Sequence, residues 1–273
     1  MIGRILIAWE AEPTVIIGLL ALCWLYATYA RRGPRSSRRQ TGYFAGAIGL
    51  LVLALLSPID FLADRYLFSV HMLQHLILVL AVAPLLAVSV PPALLAVLAR
   101  ILPGWLRHVG GNPTIIWLAA VIDMWVWHAP PLYEAALVSE PIHALEHLSF
   151  LVTACLFWLV ALAPYAAVPA LPVLLRMAYV LLAGIPNTIL GIVITFAPRV
   201  LYRTYELALD QPGLGRQLQA NLHLTARSDQ ELGGLLMWIP GGVVYLVIIA
   251  GIFIVWSAKH GPSSELRSPL MAE

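Results

Sequence analysis

Hydrophobic residues along this 273-residue chain fall into long runs separated by short polar segments. Because a helix needs ~20 mostly apolar residues to cross the hydrocarbon core of a bilayer, these runs predict membrane-spanning helices. The pattern predicts an all-α polytopic membrane protein, a bundle of seven transmembrane helices. The seven runs cover residues 13–30, 42–57, 69–98, 113–128, 143–163, 172–196 and 232–257. The third run is long, and its prolines at 84, 91 and 92 predict a break.

Composition agrees with this class and narrows the domain organisation. Hydrophobic residues make up 61% of the chain and charged residues 11%, whereas about 25% of an average soluble domain is charged. We predict one transmembrane domain over residues 1–260 and a disordered cytoplasmic tail over 261–273. The net charge of +2 argues against nucleic acid as a partner. Cys23 and Cys155 both lie in apolar runs, so a disulfide framework is excluded.

Arginine placement predicts the orientation of the bundle. The first loop, RRGPRSSRR at 31–39, carries five arginines and no acid. Positively charged short loops stay on the cytoplasmic side of a membrane, so we predict an outside N-terminus and a cytoplasmic C-terminus. The segment 197–231 then becomes a long outer loop.

Five histidines stand where apolar runs meet this predicted outer face. His71 and His75 in HMLQH, and His143 and His147 in HALEH, form two pairs spaced i, i+4, and His128 ends the run WVWH. Ionisable residues in membrane spans usually serve a function. Side chains at i, i+4 share one helix face at roughly 5–6 Å, which lets two imidazoles bind one ion. The pattern therefore predicts a metal site.

Methionines near these histidines favour a soft metal. Met124 lies one helical turn before His128, and Met237 stands near the start of the last apolar run. Thioether beside imidazole favours copper, particularly Cu(I), with zinc as the alternative. The predicted metal ligands are His71, His75, His128, His143, His147, Met124 and Met237.

Acidic residues gather on the same predicted face. Asp60 and Asp64 precede the third span, and Asp229 and Glu231 precede the seventh. Such carboxylates orient imidazoles or attract cations. Two further acids lie within spans: Glu146 adjoins His147, and Asp123 adjoins Met124. The sequence leaves the roles of these two acids open.

Four motifs in this order resemble the bacterial CtaG family of cytochrome c oxidase assembly factors, the multi-spanning kind associated with caa-type oxidases. The motifs are HMLQH, WHAPPLY, HALEHLSF and DQELGGLLMW, and the resemblance runs from about Ser57 to the end of span seven. The family pattern often reads DQQ where this chain has Glu231. The motif positions are His71, Gln74, His75, His128, His143, His147, Asp229, Gln230, Met237 and Trp238.

The resemblance implies help in maturing a haem–copper oxidase in the bacterial cytoplasmic membrane. Copper would be the cargo, and the partners would be oxidase subunits, an extracytoplasmic copper donor and the lipid bilayer. No catalytic residue follows, so the chain is expected not to be an enzyme.

Two other functions use the same residues. In a zinc-dependent membrane hydrolase, three histidines would hold Zn²⁺, and Glu146 in His143-x-x-Glu146-His147 would act as general base. In a haem-binding electron-transfer protein, histidines from two helices would be axial ligands. Each helix would then supply one ligand, which leaves the second histidine of each i, i+4 pair unexplained.

Overall fold

The computed structural model describes residues 7–32, 37–162 and 171–260. Within these ranges every regular element is a helix and none is a strand, which confirms the all-α class. The predicted tail, 261–273, lies outside the described residues. The helices are α1 Pro13–Tyr29, α2 Arg38–Leu55, α3 Pro58–Arg65, α4 Phe68–Leu76, α5 Ala83–Ser89, α6 Pro92–Ile101, α7 Gly104–Gly111, α8 Pro113–Trp127, α9 Pro130–Val138, α10 Glu140–Leu162, α11 Val173–Thr195, α12 Arg203–Asp210, α13 Leu214–Leu222 and α14 Ala226–His260.

Several helices are long and apolar enough to cross a membrane, so the chain is a multi-pass membrane protein. Four qualify within the described residues, and the number rises to six if the bent pairs α2–α3 and α8–α9 each form one span. Helix α1 has 17 residues and would reach ~26 Å at 1.5 Å per residue. That is slightly less than the ~30 Å hydrocarbon core. The count of seven and the orientation therefore stay predictions.

The third span is broken, as its prolines predict, and it has an irregular centre. A π-helical segment, Ile77–Val82, joins α4 to α5, so that Phe68–Ser89 forms one 22-residue apolar rod. Pro84 is the second residue of α5, which follows this segment; it lacks an N–H donor and cannot donate an α-helical hydrogen bond. The chain then turns at Val90 before Pro91, and the remainder of the predicted 69–98 run forms the separate helix α6. The wider π turn begins at Ile77, two residues after His75, inside the histidine-bearing rod.

The end of the chain departs from the prediction. Helix α14 begins at Ala226, six residues before the predicted start of the last span. The segment 197–231, predicted as a loop, contains the short helices α12 and α13. Both are amphipathic: polar residues alternate with leucines and a tyrosine, and this pattern is too short and too polar to register as a span. These helices pack against the bundle through Tyr205, Leu209 and Leu218, which are buried.

Helix α14 packs closely on two neighbours and holds them in register. Against α11, a Cβ added to Gly191 would lie 3.0 Å from the carbonyl oxygen of Gly234, so the two backbones touch. Against α4, the buried Asp229 carboxylate accepts hydrogen bonds from the backbone N–H groups of Phe68, at 2.7 Å, and Ser69, at 3.3 Å. An acid at a helix N-terminus accepts hydrogen bonds from the free N–H groups there and interacts favourably with the positive end of the helix dipole. Asp229 therefore fixes the end of the helix that carries HMLQH.

Candidate metal centre

The five predicted histidines come together inside the bundle. His71 and His75 project from α4, His143 and His147 from α10, and His128 closes α8. The ring centroids of His71 lie 5.3 Å from His143 and 5.8 Å from His147. His75 is 5.3 Å from His147 and 5.9 Å from His128. Five imidazoles from three helices thus form one contiguous cluster, which we call the histidine cluster.

The pair on α4 has the spacing of two ligands of one ion. The Nε2 atoms of His71 and His75 are 2.8 Å apart. Two metal–nitrogen bonds of ~2 Å meeting at about a right angle would place the nitrogens at roughly this separation. His71 is fully buried and His75 nearly so.

A tyrosine from α12 sets the tautomer of His71. The Tyr205 hydroxyl donates to the Ala63 carbonyl oxygen at 2.8 Å and lies 2.8 Å from His71 Nδ1. Because the hydroxyl proton is already engaged in the hydrogen bond to Ala63, the Tyr205 oxygen can only accept a hydrogen bond from His71. His71 Nδ1 therefore carries a proton. Tyr133 Oη lies 3.2 Å away and donates to the same oxygen. His71 Nε2 therefore carries a lone pair and accepts the 2.8 Å hydrogen bond from His75 Nε2. A metal ligand requires such a lone pair, and a bound ion would replace the proton between the two nitrogens.

Replacing Tyr205 by phenylalanine should weaken metal binding without removing a ligand. The Tyr205→Phe variant keeps the buried ring but cannot accept a hydrogen bond from His71 Nδ1. Loss of such an outer-shell partner typically costs ~10–100-fold in metal affinity. Competition against a chelator of known affinity, with purified protein, measures the change. Tyr179→Phe is the control, since Tyr179 is a buried tyrosine outside the histidine cluster; equal affinities of both variants and the wild type would contradict the role of Tyr205.

A carboxylate without a counter-charge lies against the cluster. Glu146 is 0% exposed, and neither of its side-chain oxygens has a hydrogen-bond partner among the described residues. Its Oε1 atom is 3.7 Å from His75 Nε2. A buried carboxylate without hydrogen bonds is costly unless a cation balances it or it takes up a proton. Within the described part of the chain, two groups bring ligand atoms within 4.8 Å of one another: His71, His143 and His147, and His71, His75 and Glu146.

The pair on α10 offers unused nitrogen atoms. The Nε2 atoms of His143 and His147 are buried, and neither has a hydrogen-bond partner in the described ranges. His143 Nδ1 lies 3.4 Å from Asp64 Oδ2, so the carboxylate orients this imidazole and leaves Nε2 directed elsewhere. Buried polar atoms are nearly always paired, and unpaired ones call for a ligand, an ion or water.

Sulfur ligands face the other side of the cluster. A cavity of about 30 Å³ is bordered by His75 and His128 and by Met72, Met124 and Met237. His128 Nδ1 donates to the Met124 carbonyl oxygen at 2.7 Å, so its Nε2 atom carries a free lone pair. That atom lies 3.4 Å from Met72 Sδ. Two lone-pair donors at this distance suit a soft cation.

Sequence reasoning did not include three contributors to this arrangement among the predicted site residues. Met72 faces the small cavity, but as one methionine next to His71 it had no stronger signal than ordinary packing. Glu146 had a role only in the zinc hydrolase alternative, because nothing local shows which way its carboxylate points. Tyr205 lies 134 residues from His71 in a segment predicted as a loop. Its short amphipathic helix was the available signal, anchored to α9 by hydrogen bonds from Thr204 to Glu134.

The other motif residues have structural positions around the cluster. Gln74 donates to Asp60 Oδ1 at 2.6 Å and to the Ala54 carbonyl oxygen at 2.8 Å, tying α4 to α2 and α3. Gln230 accepts from the Leu201 N–H at 2.6 Å. Further contacts involve acids that the sequence left open: Asp123 accepts from Thr153, and Glu231 pairs with Arg227 on the surface. The departure from DQQ at position 231 therefore lies outside the cluster.

Comparison with known proteins agrees with the motif order. The family model of the cytochrome c oxidase caa3 assembly factor (Caa3_CtaG) matches residues 20–259, which include every histidine of the cluster. No curated protein and no solved structure matches the chain. The family match covers well over half of the chain and confirms the resemblance seen in the four motifs. The chain therefore belongs to the cytochrome c oxidase caa3 assembly factor family.

Proposed function

We propose that this protein binds a copper ion as cargo in the histidine cluster and passes it to a haem–copper oxidase during assembly. One observation carries the proposal: five imidazoles from three helices, four of them buried, form one cluster beside the uncompensated carboxylate of Glu146. Ring nitrogens of His75, His143 and His147 in this cluster have no hydrogen-bond partner among the described residues. Oxidase maturation is the role of the family, and copper is the cargo that imidazole and thioether ligands favour. Both proteins would lie in the bacterial cytoplasmic membrane, and copper would pass between them there.

The cluster is suited to one ion at a time. Both candidate ligand groups include His71, whose Nδ1 atom is engaged by Tyr205. Only His71 Nε2 is left for a metal, and one nitrogen lone pair binds one ion. The two groups are therefore alternative positions for a single cation, a few ångströms apart.

The ligands also suggest how the ion can leave. His75 belongs to the carboxylate-containing group and also borders the small cavity with Met72, Met124 and Met237. Cu(I) prefers thioether and imidazole, whereas carboxylate suits harder ions. An ion can thus move from His71 to the sulfur side through His75 without passing through an unliganded state. A carrier whose ion positions differ little in affinity can release its cargo to a receiving oxidase subunit.

The zinc hydrolase is a second candidate, favoured by the triad His71, His143 and His147 with Glu146 beside it. The complete burial of His71 and Glu146 opposes it, because a hydrolase needs an open coordination position for water and access for its substrate. A haem ligated by histidines from two helices would give the purified protein a Soret absorption band, which the copper proposal expects to be missing.

Cells lacking this protein test the proposal. At limiting copper, we expect their haem–copper oxidase to be deficient in copper and in activity, and added copper to restore part of both by mass action. Elemental analysis of the purified oxidase, together with oxygen consumption, measures the effect. Reintroduction of the wild-type chain is the control. Full copper occupancy and normal oxidase activity without the protein would refute the proposal.

A further inference from the structure

The π-helical segment next to the histidine cluster has a backbone carbonyl that its own helix leaves without a donor. In an α-helix the Val79 oxygen would accept from the N–H of Ala83, but that N–H donates to the Leu78 oxygen instead. In a π-helix the donor would be five residues on, at Pro84, which has no N–H. An unpaired carbonyl is costly in a bilayer, where no water replaces the missing bond. Val79 therefore needs a donor from another helix.

Trp158 on α10 supplies that donor. Its indole Nε1–H donates to the Val79 carbonyl oxygen at 2.7 Å. The side chain is 1% exposed, and its ring packs against the rings of Phe157 and Tyr245, with centroids 5.2 and 6.1 Å away. Val79 lies one helical turn after His75 and borders the sulfur-lined cavity. The hydrogen bond thus links the two helices that carry the histidine pairs, close to the cluster.

Both candidate ligand groups need these two helices in a fixed relation. One group joins His71 to His143 and His147, and the other joins His71 and His75 to Glu146. Spacing within each pair follows from helical periodicity, whereas spacing between the pairs depends on how α4 packs on α10. A binding site works well only if its ligands are held within ~0.5 Å of the productive geometry. A polar link between the two helices therefore bears directly on the site.

We propose that Trp158 is a positioning residue, whose hydrogen bond to Val79 aligns the histidine pair on α4 with the pair on α10. This inference rests on the proposed function, because the alignment prepares the ligands for the cargo. π-Helical turns occur frequently at functional sites, and here the turn presents a carbonyl through which α10 holds the rod. A site aligned before the ion arrives binds more tightly, since less order has to be gained on binding.

The Trp158→Phe variant tests this role, because it keeps an aromatic ring in the core and removes the N–H. We expect copper affinity of the purified variant to fall about tenfold, the lower end of the range for groups that orient metal ligands. Competition against a chelator measures the affinity. Electron paramagnetic resonance, with Cu²⁺ as the probe, should show fewer coupled nitrogens than in wild type, because the α10 pair is no longer aligned with the α4 pair.

Trp117→Phe is the matched control. Trp117 packs on the same apolar cluster as Trp158, and its Nε1 atom has no hydrogen-bond partner within the described ranges. This control therefore makes the same change in side-chain volume without breaking a hydrogen bond.

A second substitution separates positioning from stability. Pro84→Ala gives residue 84 an N–H, which can donate to the Val79 oxygen within the rod. The Trp158→Phe/Pro84→Ala variant should regain the thermal midpoint that Trp158→Phe loses, yet it should keep the weakened copper binding, because the link to α10 is still missing. This double variant also serves as the test if Trp158→Phe alone fails to fold.

Three results have a definite meaning. Copper affinity or a nitrogen count in Trp158→Phe equal to that of Trp117→Phe overturns the inference. Wild-type affinity in the double variant also overturns it, because Trp158 would then serve only to satisfy a carbonyl. A wild-type protein that retains no copper at equilibrium refutes the proposed function instead.

Discussion

The His71→Ala/His75→Ala variant should fold and insert, and it should purify without stoichiometric copper. The two substitutions remove a ligand from both candidate groups and from the border of the sulfur-lined cavity. We expect the loss of affinity to exceed the ~10–100-fold that an outer-shell partner typically contributes. Insertion should persist because helices satisfy their backbone hydrogen bonds within each span. Elemental analysis of detergent-purified protein measures the copper content.

His108→Ala is the control for this variant, since His108 is exposed on α7, outside the cluster. In cells at limiting copper, the double variant should leave the oxidase copper-deficient, and excess copper should partly restore it. Wild-type copper content in the purified double variant would contradict the assignment of these histidines as ligands.

The second large effect concerns Glu146, which no local sequence pattern ranks with the histidines. The Glu146→Gln variant keeps the side-chain shape and removes the charge. Because the carboxylate is buried without hydrogen-bond partners in the described structure, its loss should not lower the thermal midpoint of the metal-free protein. The rise in thermal midpoint on adding copper should largely disappear, since a cation loses its charge partner. Thermal unfolding with and without copper measures both.

Glu231→Gln is the control, because Glu231 forms a half-exposed surface pair with Arg227. Two outcomes would separate the alternatives. A zinc hydrolase would lose hydrolysis of its lipid or peptide substrate in Glu146→Gln while retaining its metal. A destabilised metal-free variant with unchanged copper binding would give Glu146 a purely structural role and would contradict our expectation.

Several features of the fold follow from local patterns. The apolar runs predicted the membrane class because a bilayer admits only segments that satisfy their backbone internally. The break after the third span followed from Pro91 and Pro92, which restrict the chain wherever they stand. The start of α14 did not follow, because Asp229 and Gln230 are polar and their partners lie on α4 and after α11.

The histidine pairs show how far spacing alone reaches. An i, i+4 interval places two imidazoles on one helix face, whatever the rest of the chain does. The sequence therefore identified His71 with His75 and His143 with His147, and the motif order identified the family. Nothing local determines whether two such faces meet or point to lipid on opposite sides of a bundle.

The amino-acid sequence by itself determined the all-α membrane class, the family and the identity of the candidate ligands, since these depend on hydropathy, order and helical periodicity. Only the tertiary structure decided that the pairs face each other, that Tyr205 sets the tautomer of His71, and that Glu146 lies against His75 without a partner. The physical reason is that these contacts join residues many helical turns apart. Their distances depend on how helices pack, whereas a periodic pattern constrains only neighbours on one helix.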